Sequence, residues 1–183
     1  MLTVAPADPD SPEARMLLGE LGAALAAITG SDGSASFDAA AVRGERACFL
    51  VAYDADGLAV GCGALRSLSG DVAELKRMYA RPGSGAGRFI LEALERQALD
   101  FGYTEAWLET RKVNRRAVAF YAKHGYRVIP NYGKYIGRDE AVCFGKILNA
   151  SYRRPRAGGD PSSASVSTAH ANLGSRLRGN DGL

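Results

Sequence analysis

The chain has 183 residues, 46% of them apolar and 23% charged, with a formal net charge of +3. That composition is ordinary for a globular protein and excludes fibrous, collagen-like and wholly disordered chains, while the length suits one domain with a real core. The most apolar run, 21–28, is far short of the roughly 18–20 residues of a membrane span, so no membrane partner is expected.

In chain order, residues 1–9 carry neither the basic nor the apolar region of a signal peptide. Residues 2–4 read as a short strand. Ser11 is a helix N-cap followed by Pro12 at the first helical position, and Leu17, Leu21, Leu25 and Ile28 then recur at helical spacing up to Gly30. A second short helix is predicted over 37–42. Strands over 47–53 and 58–65 flank Asp54 to Gly57, a hairpin signature. A strand of mixed polarity over 72–80 leads into a glycine-rich turn, 83–87. An amphipathic helix follows over 88–101, with Gly102 as its C′ residue. Next come a strand over 104–110 and a helix over 114–123, with Asn114 as N-cap, Val113 and Val118 at the hydrophobic-staple positions and Gly125 as terminator. Strands over 126–129 and 141–148 close the body. Hairpins first and a β-α-β-α-β run afterwards predict an α/β (α+β) fold with a mixed central sheet flanked by helices.

The last stretch, 149–183, is rich in Gly, Ser, Pro and Ala and has no hydrophobic period, so it is predicted to be a disordered tail appended to a folded domain of residues 1–148. Its five arginines and two aspartates account for the whole net charge, leaving 18 basic and 18 acidic residues in the domain. Scattered arginines are weak support for nucleic-acid binding, and no such partner is expected. Cys48, Cys62 and Cys143 are odd in number, widely spaced and form no CxxC, so neither a disulfide framework nor a metal site is indicated, and a cytoplasmic location is expected. Cys62, between two glycines, reads as a small buried strand residue rather than a nucleophile.

A strand, a glycine turn and a helix start can bind phosphate, because glycines admit the anion to free amides at the helix N-terminus. A tight turn that needs glycine only for positive φ explains the same residues. A Walker loop is excluded, since position 88 is arginine with no Lys-Ser/Thr after it, and the spacing is not G-x-G-x-x-G. Glu74, Lys76 and Arg77 also make residues 72–80 too polar for a central parallel strand of a dinucleotide-binding fold, although Glu109 stands where a ribose-binding acid would.

The run AELKRMYARP over 73–82, the GSGAGRFILEAL run over 83–94, Leu108-Glu109-Thr110 and the block Asn114, Ala117, Phe120, Tyr121, Gly125, Tyr126 together resemble the GNAT superfamily of N-acetyltransferases. Tyr132-Gly133-Lys134-Tyr135 and Val142-Cys143-Phe144 are similar to one bacterial branch of it. The likeness covers roughly residues 50–148. It implies a mostly antiparallel sheet with a β-α-β-α-β acetyl-CoA-binding core and direct transfer of an acetyl group from acetyl-CoA, with no metal, to a small-molecule or peptide amine. It also leaves a homodimer open.

By the same resemblance, Glu74 is the general base and Tyr121 the general acid that protonates the departing thiolate. Met78, Tyr79 and Ala80 offer backbone groups to pantetheine, and Gly83, Ser84, Gly85, Ala86, Gly87 and Arg88 face the pyrophosphate. Asn114 and Tyr121 complete the cofactor site. Tyr132, Tyr135 and Asp139 line an acceptor pocket suited to a cationic amine. His124 and the pair Glu92–Arg96 read as structural. One departure stands out: Arg81-Pro82 runs straight into Gly83, a few residues short of the family pattern, which implies weaker CoA binding or a CoA-binding module without catalysis.

Overall fold

In a computed structural model of the protein, residues 1–149 are described. The chain divides into two units, Met1–Tyr152 and Arg153–Leu183. The expected tail, 149–183, lies outside the described residues except for Asn149.

The described residues form seven strands and three α-helices: β1 Thr3–Pro6, α1 Pro12–Thr29, β2 Cys48–Tyr53, β3 Ala59–Ser69, β4 Val72–Ala80, α2 Ala86–Asp100, β5 Glu105–Arg111, α3 Arg115–Lys123, β6 Arg127–Ile129 and β7 Ala141–Ile147. The strands make one sheet in the order β1-β2-β3-β4-β5-β7-β6. Every neighbouring pair is antiparallel except β4 and β5, so the fold is the mixed, mostly antiparallel sheet expected.

Period-two alternation sorts β2 between two cores. Leu50 and Ala52 join Leu65, Leu75, Ile90, Leu94, Leu108 and Phe144 on the α2 and α3 side. Phe49 and Val51 join Ala14, Leu17, Cys62 and Ala64 on the α1 side. Helix α1 is capped as predicted, with Ser11 Oγ accepting from the Ala14 amide at 3.3 Å and Gly30 left-handed at φ 77°. Asp54 Oδ1 closes the β2–β3 hairpin by accepting from the amides of Asp56 and Leu58 at 3.0 and 2.9 Å.

Three local expectations change. Strand β3 runs four residues past 65, because Arg66, Ser67 and Ser69 stay in register with Glu74, Ala73 and Val72 on the neighbouring strand. The short helix expected over 37–42 is replaced by two 3-10 turns, Ser34–Ser36 and Ala40–Val42. Val113 is 60% exposed, so little of the staple with Val118 is realised.

The glycine-rich segment is tighter than a loop. The Ser84 amide donates to the Arg81 carbonyl at 3.2 Å, and Gly83 has φ 79°. Proline second and a left-handed glycine third is type II turn chemistry, so Arg81 to Ser84 reverse the chain in four residues. Gly85, also left-handed, is then the N-cap of α2, which starts at Ala86 rather than 88.

Gly61 and Gly63 let α2 lie on β3. A Cβ at Gly61 would meet Ile90 Cδ1 and the Tyr79 carbonyl oxygen, each at 2.7 Å. The carbonyl belongs to the adjacent strand and cannot move aside alone. Gly61→Ala is therefore expected to destabilise the domain by about 2 kcal/mol, the middle of the range for overpacked cores, as measured by chemical denaturation.

Candidate active site

Strands β4 and β5 pair only over Val72–Glu105, Ala73–Ala106 and Glu74–Trp107. Beyond that, β5 stays paired with β7 as far as Arg111, while β4 turns away. The cause lies on its other edge: the β3 register passes from Ala64–Lys76 to Cys62–Tyr79, one extra residue on β4. Arg77 sits in that bulge at φ 52°, the one non-glycine residue with positive φ among those described. A bulge bends and twists its strand. The result is a wedge-shaped cleft of about 420 Å³ between β4 and β5, walled also by α1, the segment after it, the start of α3 and the turn before β7.

Four of the expected residues meet in this cleft: Met78, Asn114, Tyr121 and Tyr135. Asn114 caps α3 by accepting from the Ala117 amide at 3.2 Å, and the residue also lines the cleft. Tyr121 is buried, and burial raises its pKa above the ordinary phenol value. Among the described residues its hydroxyl has no hydrogen-bond partner, and the cleft is the space it borders.

Glu74 does not reach the cleft. It is 1% exposed, and its oxygens are taken by Arg66 at 2.6 and 2.7 Å, Lys76 at 3.2 Å and the Tyr132 hydroxyl at 3.0 Å. A carboxylate so engaged is an ion-paired strand residue, and it forms no part of the cleft wall. Tyr132 is likewise spent on Glu74 and on ring contacts with Trp107 and Tyr135 at 5.3 and 5.4 Å. Asp139 is exposed and outside the cleft wall. Of the expected acceptor pocket, Tyr135 remains. Its oxygen accepts from Lys76 Nζ at 2.6 Å, which leaves its own proton free to donate.

The glycine turn borders the far end of β4, where the Cβ of Ala80 would lie 3.6 Å from a Cβ at Gly87. Its amides are not all available. Ser84 spends its own in the turn, and Ala86 donates to Ser84 Oγ at 3.2 Å. The Arg88 guanidinium lies along the helix on Glu92 at 2.6 Å, so Glu92 pairs backwards along α2. Tyr79 points away from the cleft, donating to Glu20 on α1 at 3.1 Å, where Arg81 also binds. Cys62 is fully buried, and burial pushes its thiol up to about 12, too high for a nucleophile. His124 packs on Phe120 at 4.3 Å, with Nδ1 2.7 Å from the Phe120 carbonyl oxygen.

The sequence reading missed the side chains that dominate the cleft walls. Glu109 lines it, with its pKa raised by burial against the opposing pull of Arg111, Lys76 and Lys134. Lys76, Arg77, Arg111, Lys134 and Arg138 line it as well. Residues 109 and 111 share one side of β5 by period two, a legible signal; the approach of the turn holding 134 and 138 had none.

The match to known proteins follows this geometry. Residues 24–126 match the family described as the acetyltransferase (GNAT) family. The chain belongs to that family. A protein named IAA acetyltransferase, from Azospirillum brasilense, is 36% identical over 100 residues, which are 52% of this chain and 64% of that protein. The chain thus matches a little under two thirds of that relative's length. A solved structure from Klebsiella pneumoniae, assigned to the acyl-CoA N-acyltransferases, superposes with a TM-score of 0.69 at 26% identity over 81% of this chain and 99% of that one. A GNAT family acetyltransferase from Elizabethkingia anophelis with acetyl-CoA bound shares the fold, with a TM-score of 0.59 at 15% identity over 80% and 98% of the two chains. No helix among the described residues is long and apolar enough to cross a membrane, and no group of three or more His, Cys, Asp or Glu there is arranged to hold a metal ion.

Removing the buried carboxylate tests its structural role. Glu74→Ala leaves Arg66 and Lys76 without their shared carboxylate, and breaking such a pair is expected to cost about 3 kcal/mol, read from the denaturant midpoint.

Proposed function

We propose that the domain of residues 1–148 transfers an acetyl group from acetyl-CoA to a primary amine by direct attack. The observation that carries this proposal is the opening of the sheet after Glu74–Trp107, with Tyr121 and Glu109 on its two walls. The thioester would lie in the wedge along Met78 to Ala80, with backbone amides of β4 polarising its carbonyl. The pyrophosphate would lie at Gly85 to Arg88, on the N-terminus of α2. Holding amine and thioester together supplies much of the rate by proximity.

Glu109 is the better base. Burial raises its affinity for a proton, and it borders the cavity that Glu74 does not. It would take the proton of the substrate ammonium, and the neutral amine would attack the carbonyl carbon. As the C–S bond breaks, Tyr121 would donate its proton to the leaving thiolate, and the second proton released by the acylated nitrogen would restore the phenol. Burial keeps that phenol protonated until negative charge builds on sulfur.

Release of CoA thiol from acetyl-CoA across an amine panel tests the whole scheme. Tyr121→Phe is expected to lower kcat by about 100-fold with little change in acetyl-CoA affinity. The base must be ionised, so the rate is lost as pH falls through the Glu109 pKa, which lies above the ordinary carboxylate value. Glu109→Gln is expected to remove that acidic limb from the kcat/KM profile and lower its plateau by about 100-fold.

The tight turn at Pro82-Gly83, which spends two amides on itself, favours one alternative: a CoA-binding module on the same fold without catalysis. Thermal stabilisation by CoA with no thiol release over the whole amine panel would select it. No heat on titrating acetyl-CoA to millimolar concentration would exclude both.

A further inference from the structure

The charge of the cleft points to the class of acceptor, granted the acetyl-transfer scheme above. One carboxylate, Glu109, shares the cavity with five cations: Lys76, Arg77, Arg111, Lys134 and Arg138. Three of these have acceptors within the protein. Lys76 is held by Glu74 and Tyr135. Arg77 donates to the carbonyls of Asp32 and Gly33. Arg111 meets Glu140 at 3.1 Å and Glu109 at 3.9 Å. Lys134 and Arg138 have no carboxylate partner among the described residues, and both stand on the turn that carries Tyr135 into the cleft wall.

The pyrophosphate of acetyl-CoA does not account for these cations. In the scheme above it lies at the glycine turn, which forms no part of this cavity wall. A polycationic amine would be repelled by the five positive groups, and a simple monoamine would use only Glu109. We propose that the acceptor is a small zwitterion of the amino-acid class: an amine that Glu109 receives, carrying a carboxylate that Lys134 and Arg138 bind, with the free proton of Tyr135 beside them. Arginine and lysine pair with carboxylates through charge-assisted hydrogen bonds, stronger than neutral ones. Leu21 and Leu25 of α1 close the same cavity with apolar surface for the rest of the acceptor. A site built to pair a charge rejects the analogue that lacks it, because its own cations are then left without a counterion.

The test uses the full chain and acetyl-CoA with a set of L-amino acids, each beside its carboxamide and its decarboxylated amine. For the best acceptor, kcat/KM for the acid is expected to exceed that for the amide at least tenfold, chiefly through KM. In the double variant Lys134→Ala, Arg138→Ala that ratio is expected to fall at least tenfold. Amides or decarboxylated amines used as well as the acids, or a ratio that the double variant leaves within twofold, would overturn the assignment. Absence of thiol release from every compound would instead sink the transferase scheme. The carboxylate preference is then read separately from thermal shift with each acid and its amide at equal millimolar concentration. Greater stabilisation by the acid supports the assignment, and equal or no stabilisation overturns it.

Discussion

The divergence of β4 from β5 is the constraint on which the rest of the domain's chemistry depends. Parallel neighbours in a sheet normally pair along their length, because each unpaired backbone group would otherwise lie buried without a partner. Here pairing stops after three residues, and β4 offers an open backbone edge to a cavity. The extra residue at Arg77 makes this possible, by bending β4 where it is still anchored to β3 on its other side. The strain of a left-handed arginine is supported locally. Its guanidinium reaches the carbonyls of Asp32 and Gly33 and lies over the Phe37 ring at 5.3 Å. The segment that closes one wall of the cleft is therefore tied to the residue that opens it.

A second consequence concerns the buried carboxylate at the closed end of the wedge. Glu74 stands directly across from Arg66 in the strand register and beside Lys76. It sits at the last paired position before β4 departs, so the ion cluster holds the strand ends where the ladder gives out. Through Lys76 and Tyr132 it also fixes the turn that carries Tyr135, Lys134 and Arg138. Glu74 thus anchors the wall that carries Tyr135. A buried charge network is weak evidence for stability in itself; its effect here is to hold one wall at a set distance from the other.

The net positive charge has two separate parts. The excess over the whole chain falls in residues 149–183, and the domain balances. Within that neutral domain the charges are unevenly placed, and cations gather around one cavity. Composition averages such a distribution away, which is why a neutral sum was compatible with a strongly polarised site.

Much of the fold was legible because it depends on local chemistry. Ser11 with Pro12, Gly30, the Asp54 hairpin and Asn114 each satisfy backbone groups within a few residues, so their positions set the ends of helices and turns without help from the rest of the chain. The order of motifs through 73–126 likewise identified the family. The roles of individual site residues were less accessible. Glu74 reads the same in sequence whether it faces a substrate or an arginine, and only the pairing of β3 with β4 decides. Glu109 and the cations at 134 and 138 come from segments far apart in the chain, and their meeting depends on β5–β7 pairing and on the turn packed against Lys76. The sequence by itself determined the elements, their caps and the family, since these rest on interactions between near neighbours. The tertiary structure alone decided which carboxylate borders the cavity and which is consumed, because burial and ion pairing are properties of strands brought side by side.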